Sequence, residues 1–297
     1  MSSSLKYLLL VAPAALMIAI LFLYPLGFSL VSAFTAPGQP FTLDHFRKVY
    51  ALYASDVLFS LLIVLISVAL LALLAITLSA VIALSPCRPV VRLLGFLYRL
   101  PLFIPFIVVA QMMRTFLAKN GLMNNALVAA DLVTPLETLS WLGWKGIVIT
   151  FVWKQLAFAT LLICGAMAAL ESSQILAARN LGASRPMAAL ESSQILAARN
   201  LGASRPRILF DIMLPQVLPT IGVALVLSTV TMMSVLSVPL MIGVGTPTML
   251  TVDMAFRVNS YGDYAVANTL GVVSLAICGA LSWFYLRHSL QQKGGES

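Results

Sequence analysis

The sequence predicts an all-α polytopic membrane protein with six transmembrane helices and both termini in the cytoplasm. Three observations carry that reading. Of 297 residues, 61% are hydrophobic and only 9% charged, where soluble domains carry about a quarter, and the mean hydropathy is +1.00. The apolar residues come in uncharged runs long enough to span, since about 20 residues at a rise of about 1.5 Å each cross the hydrocarbon layer. The charge is also asymmetric: on six spans, one side holds eleven basic and four acidic residues, the other five basic and six acidic. Positive charge marks the cytoplasmic side. The net charge of +8 therefore reads as topology, not as a nucleic-acid footprint.

The spans follow in order. Tyr7–Phe34 carries no charge and is far longer than the core of about 7–15 residues in a cleaved signal, so it is read as a retained first span near 8–33. Val57–Cys87, also uncharged, gives a second near 58–84. The third, near 99–118, contains Arg114; the fourth, near 146–167, contains Lys154. Ile212–Val252 is uncharged for 41 residues, but "PLMIGVGTPT" (239–248) interrupts it with prolines and glycines and leaves one span near 216–241. Tyr264–Leu286 supplies the last, near 263–286.

Catalytic chemistry finds little to work with. The two histidines, His45 in an external loop and His288 at the end of the last span, have no carboxylate or cysteine partner nearby in sequence. Cys87, Cys164 and Cys278 lack metal-ligand spacing and read as small apolar packing. No phosphate-cradling GxxxxGK[ST] loop is present, and no span has a carboxylate at its middle, which argues against a proton relay. Catalytic residues, a bound metal and a resident cofactor are accordingly not expected. Charge inside a span is costly and marks function by default. Lys154, Arg114 and the neighbouring Trp153 are thus candidates for a substrate path, with anchoring at the interface as the plainer role for the two charges.

The longest cytoplasmic loop, 168–215, carries the most information. Its Ala, Leu, Glu, Gln and Arg favour helix. Within it a twenty-residue unit, "MAALESSQILAARNLGASRP", occupies 167–186 and again 187–206 without one difference. Each copy reaches a glycine, Gly182 or Gly202, suited to ending a helix. Ser204 is placed to cap a following helix with Pro206 in its first turn, and "RILFDIML" extends that helix to Pro215. The expectation is a helix–turn–helix on the cytoplasmic surface. Amphipathic helices of this kind rest on lipid or dock a soluble partner.

"LAARNLGASRPRILFDIMLP" (196–215) resembles the EAA loop of permease subunits in binding-protein-dependent ABC importers, whose pattern is EAA, three residues, Gly, nine residues, then I-x-L-P. Ala197 and Ala198 match the alanines, Gly202 the glycine, with Ala203 and Ser204 after it, and Ile212, Leu214 and Pro215 the end of the pattern. "WLGWKGIVITFVWKQLAFATLLI", "LPQVLPTIGVAL" and "LLLVAPAALMIAILFLYPLGFSLVSAF" are similar to the family's flanking and first helices, so that nearly the whole chain is covered. The resemblance implies a type I ABC importer permease fold, one permease domain over 1–297, and residence in the bacterial inner membrane. It implies as partners an ABC ATPase dimer that uses ATP and Mg, a second permease subunit, identical or related, and an extracytoplasmic solute-binding protein, besides membrane lipid. "SVPLMIGVGTPTMLTVDMAFRVNSYGDYAVANTLG" is more similar to polyamine, phosphonate and opine-type permeases, with sugar and ferric-iron permeases, or a transporter that needs no ATPase, as alternatives.

One position departs from the pattern: the family's Glu is Leu176 in the first copy and Leu196 in the second. The first copy offers Ala177, Ala178 and Gly182 as a second coupling set, but nine residues beyond Gly182 stand Ser192, Ser193, Gln194 and Ile195, not I-x-L-P. The copy followed by the full continuation is the expected working one, and the other is expected to bulge as an added helix and turn.

Overall fold

The computed structural model describes residues 3–180 and 204–294, and within these all regular structure is helical. The contacts divide the chain into two units. One joins Met1–Ser60 to Thr246–Ala280, the other Leu61–Gly245 to Leu281–Ser297. Five helices are long and apolar enough to cross a membrane among the described residues, or six if a bent pair counts as one span.

In the first unit the chain opens with α1 (Ser3–Ile18), a π-turn (Ala19–Leu23) and α2 (Tyr24–Phe34). Pro25 is what the π-turn prepares for. A proline has no N–H and leaves the carbonyl four residues back without its partner. The Tyr24 N–H instead reaches back five residues to the Ala19 carbonyl, widening the helix locally so that the chain passes the proline without stopping. Next comes α3 (Asp44–Leu84), 41 residues long, of which the part up to Ser60 belongs here. The expected second span began at 58; the helix starts fourteen residues earlier, so His45, read as a loop residue, lies in its first turn. There its ring nitrogen sits 3.1 Å from the Thr35 carbonyl oxygen.

The second unit carries the rest of α3, then α4 (Arg88–Leu97), a 3₁₀ turn (Leu100–Phe103), α5 (Phe106–Leu117), α6 (Leu122–Ala129) and α7 (Trp144–Asn180). The third span was expected as one piece over 99–118. Instead Arg88–Phe103 and Phe106–Ala129 meet at 109°. The cause is Pro105: it forces the preceding Ile104 into an extended conformation (φ −99°, ψ 121°), as proline does to its predecessor, and it supplies no N–H to continue the helix.

After residue 204 the chain forms α8 (Arg205–Ile208), a second π-turn (Leu209–Met213) and α9 (Leu214–Ser234), then α10 (Ser237–Ile242), α11 (Leu250–Tyr261) and α12 (Tyr264–Gly294). The fifth span was expected to reach 241. It ends at Ser234, where Val235 turns extended, and α10 follows as a separate short helix. In this unit α7 packs along α9, and α10 lies against α5 and α7. Gly146 allows the last contact: a β-carbon there would come within 2.7 Å of the Ile242 side chain. The core is apolar, with Phe151, Ile163, Met232 and Ile242 fully enclosed.

Candidate functional site

The cytoplasmic segment singled out by its motif is seen at both ends. At its start α7 runs on without a break from the fourth span through the beginning of the first repeat to Asn180, placing Ala177 and Ala178 on a helix. Gly182, Ala197, Ala198, Gly202 and Ala203 lie outside the described residues, as do Leu196 and most of the second repeat. At its end Ser204 is exposed, and its carbonyl accepts the Ile208 N–H at 3.0 Å. The helix thus begins at Arg205 with Pro206 in its first turn, as expected.

The expected stop at Pro215 is corrected. The chain passes through the second π-turn, where the Leu214 N–H bonds the Leu209 carbonyl, and Pro215 sits in the first turn of α9. The physics is that of Pro25: the five-residue reach lets the helix absorb the proline. The motif's tail is therefore welded to a spanning helix. Ile212 and Leu214 are half-buried and Pro215 exposed. Leu214, Leu209, Phe210 and Pro206 form one wall of an apolar groove of about 590 Å³, whose other wall is the last turns of α3, including Leu73 and Leu84. Arg207 and Asp211 form an exposed pair at 3.3 Å, which in water contributes little.

The intramembrane charges are separated. Lys154 is buried, 8% exposed. Its Nζ donates to the Pro101 carbonyl oxygen and stands 5.3 Å from the centre of the Phe106 ring. In an unbroken helix Pro101 O would take the N–H of residue 105, which is a proline. Only a 3.3 Å bond from Ile104 N remains from the backbone, and the ammonium supplies the second. Lys154 thus closes the break between the 3₁₀ turn and α5. Arg114 is exposed in the last turn of α5, about 15 Å of helix from that break. Trp153 is half-buried beside Lys154. No bond joins these three among the described residues. Elsewhere in this unit the Thr160 hydroxyl on α7 and the Ser228 hydroxyl on α9 are buried without partners.

A polar network that the sequence reading treated as loop charge appears in the first unit. The Asp56 carboxylate accepts the Thr248 N–H at 2.9 Å, and the Thr248 hydroxyl donates to Asp253 at 2.8 Å. Ser60 Oγ accepts the Leu250 N–H at 2.9 Å, satisfying one of the free donors at the start of α11. Arg257, its side chain 12% exposed, donates to the Tyr53 hydroxyl and lies over the rings of Tyr53 and Tyr261 at 5.2 and 5.0 Å. Asp263 takes Lys48 at 2.8 Å and Arg257 at 3.4 Å. Burial works to raise Asp263, but the bonds from Lys48 and Val266 N–H, with Arg257, hold it below the usual carboxylate range. Asp253 goes the other way. Burial, aided by the negative charge of Asp56 and opposed by Thr248 and Arg257, pushes it up to about 6, and its second carboxylate oxygen has no partner. Among the described residues no group of three or more His, Cys, Asp or Glu is placed to hold a metal ion.

Comparison with known proteins meets this architecture. Residues 186–289 match the family described as binding-protein-dependent transport system inner membrane component. The chain is 25% identical over 296 residues to the sulfoquinovosyl glycerol transport system permease protein of Agrobacterium fabrum, covering 94% of this chain and 88% of that protein. It superposes with TM-score 0.74 at 18% identity on a chain of a bacterial alginate ABC transporter in complex with an alginate pentasaccharide-bound periplasmic protein, covering 95% of this chain and 92% of that one. A bacterial ABC transporter involved in the import of the acidic polysaccharide alginate gives TM-score 0.74 at 20% identity, with 97% and 95% covered. The solved structures establish an all-helical type I ABC permease fold. The family match, the relative and the apolar helices support an ABC importer permease and a multi-pass protein of the inner membrane.

Proposed function

We propose that this chain, an ABC-importer permease by family likeness, is a subunit that carries a solute across the inner membrane and is driven by a separate ATPase dimer gripping the segment 168–215. The observation that carries the proposal is the join at its end: the family match begins at residue 186, and the motif's Ile212, Leu214 and Pro215 run without a stop into α9. A push on the loop then reaches a spanning helix directly. In this reading Gly202 belongs to the segment that the ATPase grips, and the exposed Phe210 borders the docking surface. ATP and Mg belong to the ATPase. A second permease completes the pathway, since six spans are too few to enclose one, and both termini face the cytoplasm.

For the solute we favour a saccharide. The relatives above are named for sulfoquinovosyl glycerol and alginate. Trp153 and Arg114 stand as path candidates. Lys154 is already engaged by a carbonyl, which favours a role in holding the third span over direct contact with solute.

The test is reconstitution with the cognate ATPase, partner permease and solute-binding protein. Substituting Gly202 by Pro and Phe210 by Ala is expected to abolish ATPase association and solute-stimulated ATP hydrolysis while leaving the chain folded. Retained association in both variants would reject the docking site. Removing one twenty-residue copy is expected to change the stimulated rate, because it alters the length of chain between the fourth span and the motif's tail. Unchanged hydrolysis and uptake would make the duplication a neutral insertion.

A further inference from the structure

The third span's first piece has a surface that the transport reading does not use. Arg88 and Arg92 are four residues apart on α4, and Arg99 follows through Tyr98 with helical backbone angles. At about 100° per residue the three fall within about 40° of each other around the axis. Val90, Leu93 and Leu97 take the opposite side, each uncovered in the chain, Leu93 most at 57% exposed. No acidic residue occurs between Asp56 and Asp131, and among the described residues none of the three arginines is in an ion pair. Arg99 is steadied by Tyr98, whose hydroxyl accepts its Nε–H at 3.1 Å. The chain bends by 109° between Arg88–Phe103 and Phe106–Ala129, so the two pieces cannot both follow the membrane normal.

We propose that α4 and Arg99 form an interfacial helix that binds anionic phospholipid headgroups, with Val90, Leu93 and Leu97 in the acyl layer beneath. The occupant follows from charge and depth together. Phosphate is the chemistry a row of unpaired guanidiniums recognises, and a helix with a basic face and an apolar face lies in the membrane interface. Helix α4 has ten residues, too few to span by itself. The inference rests on the chain being in a membrane, and it holds whichever solute is carried.

The test uses the full chain purified in micelles containing equal phosphatidylcholine and phosphatidylglycerol, with retained lipids counted by native mass spectrometry. The variant R88Q/R92Q/R99Q is expected to lower the retained glycerol-to-choline ratio by about threefold or more, while R88K/R92K/R99K holds it near the parent value. An unchanged ratio in the glutamine variant overturns the proposal. So does an unchanged ratio accompanied by lost association with the ATPase, which would put a protein on this face. A second measurement keeps all three arginines: a tryptophan placed by Leu93→Trp is expected to be quenched more by brominated phosphatidylglycerol than by brominated phosphatidylcholine. Equal quenching overturns the proposal as well.

Discussion

At the scale of single residues, the fold is held at a few points where one atom more or less decides. Gly222 on α9 is one. A β-carbon there would fall 1.8 Å from the Tyr285 ring, and the same tyrosine donates its hydroxyl proton to the Pro219 carbonyl. Gly222→Ala is therefore expected to destabilise by about 1–3 kcal/mol through overpacking, read as a lowered midpoint of thermal aggregation in detergent. Tyr285→Ala should rescue it and Tyr285→Phe should not, because the ring is the obstacle. Asp253 offers a pH signature. Its native pKa of about 6 lies above the ordinary 3.8, so the native state binds a proton that the unfolded chain has lost. The stabilisation is fully present below the ordinary value and is lost as pH rises through about 6. Asp253→Asn keeps an acceptor for Thr248 without the charge. It is expected to raise stability at pH 8 by about 1 kcal/mol, a figure reduced for partial exposure, and to leave it nearly unchanged at pH 4. Melting curves at both values check this, and equal shifts would remove the carboxylate from the explanation.

At the scale of elements, existence was legible in the sequence and interruption only partly so. Charge-free runs announced the long helices because a lipid-facing helix admits few alternatives. The breaks turned on bonds that no periodicity reveals. Pro25 and Pro215 follow π-turns and remain in helix, whereas Pro105 stands at the break between two helices. The repair of the Pro105 break comes from Lys154, 53 positions from the carbonyl it bonds, a pairing invisible along the chain. The two changes should accordingly be coupled. Lys154→Met leaves Pro101 O short of a donor and is expected to cost about 1–3 kcal/mol. Pro105→Ala returns the missing N–H, so the double variant should be more stable than the sum of the singles by about 0.5 kcal/mol or more. Additive melting shifts would show that the lysine does not serve this carbonyl. The helix start after Ser204 was legible, but its continuity past Pro215 into α9 was not. Nor was α11, whose capping depends on Asp56 and Ser60 from a helix about 190 positions away.

At the scale of the whole molecule, the length of α7 has a mechanical consequence. Its 37 residues make a rod of about 55 Å, while the hydrocarbon layer is about 30 Å thick. Nearly half of it therefore stands outside the apolar layer. A tilt of about 10° about the rod's centre would swing its tip by about 5 Å, close to one helical turn, while residues at the centre scarcely translate. The helix acts as a lever: its end at Asn180 moves by about 5 Å, while Lys154, eight residues from the centre, moves by about 2 Å. Fourteen of the first repeat's twenty residues, 167–180, lie within this rod, so the duplicated unit begins as part of the lever arm itself.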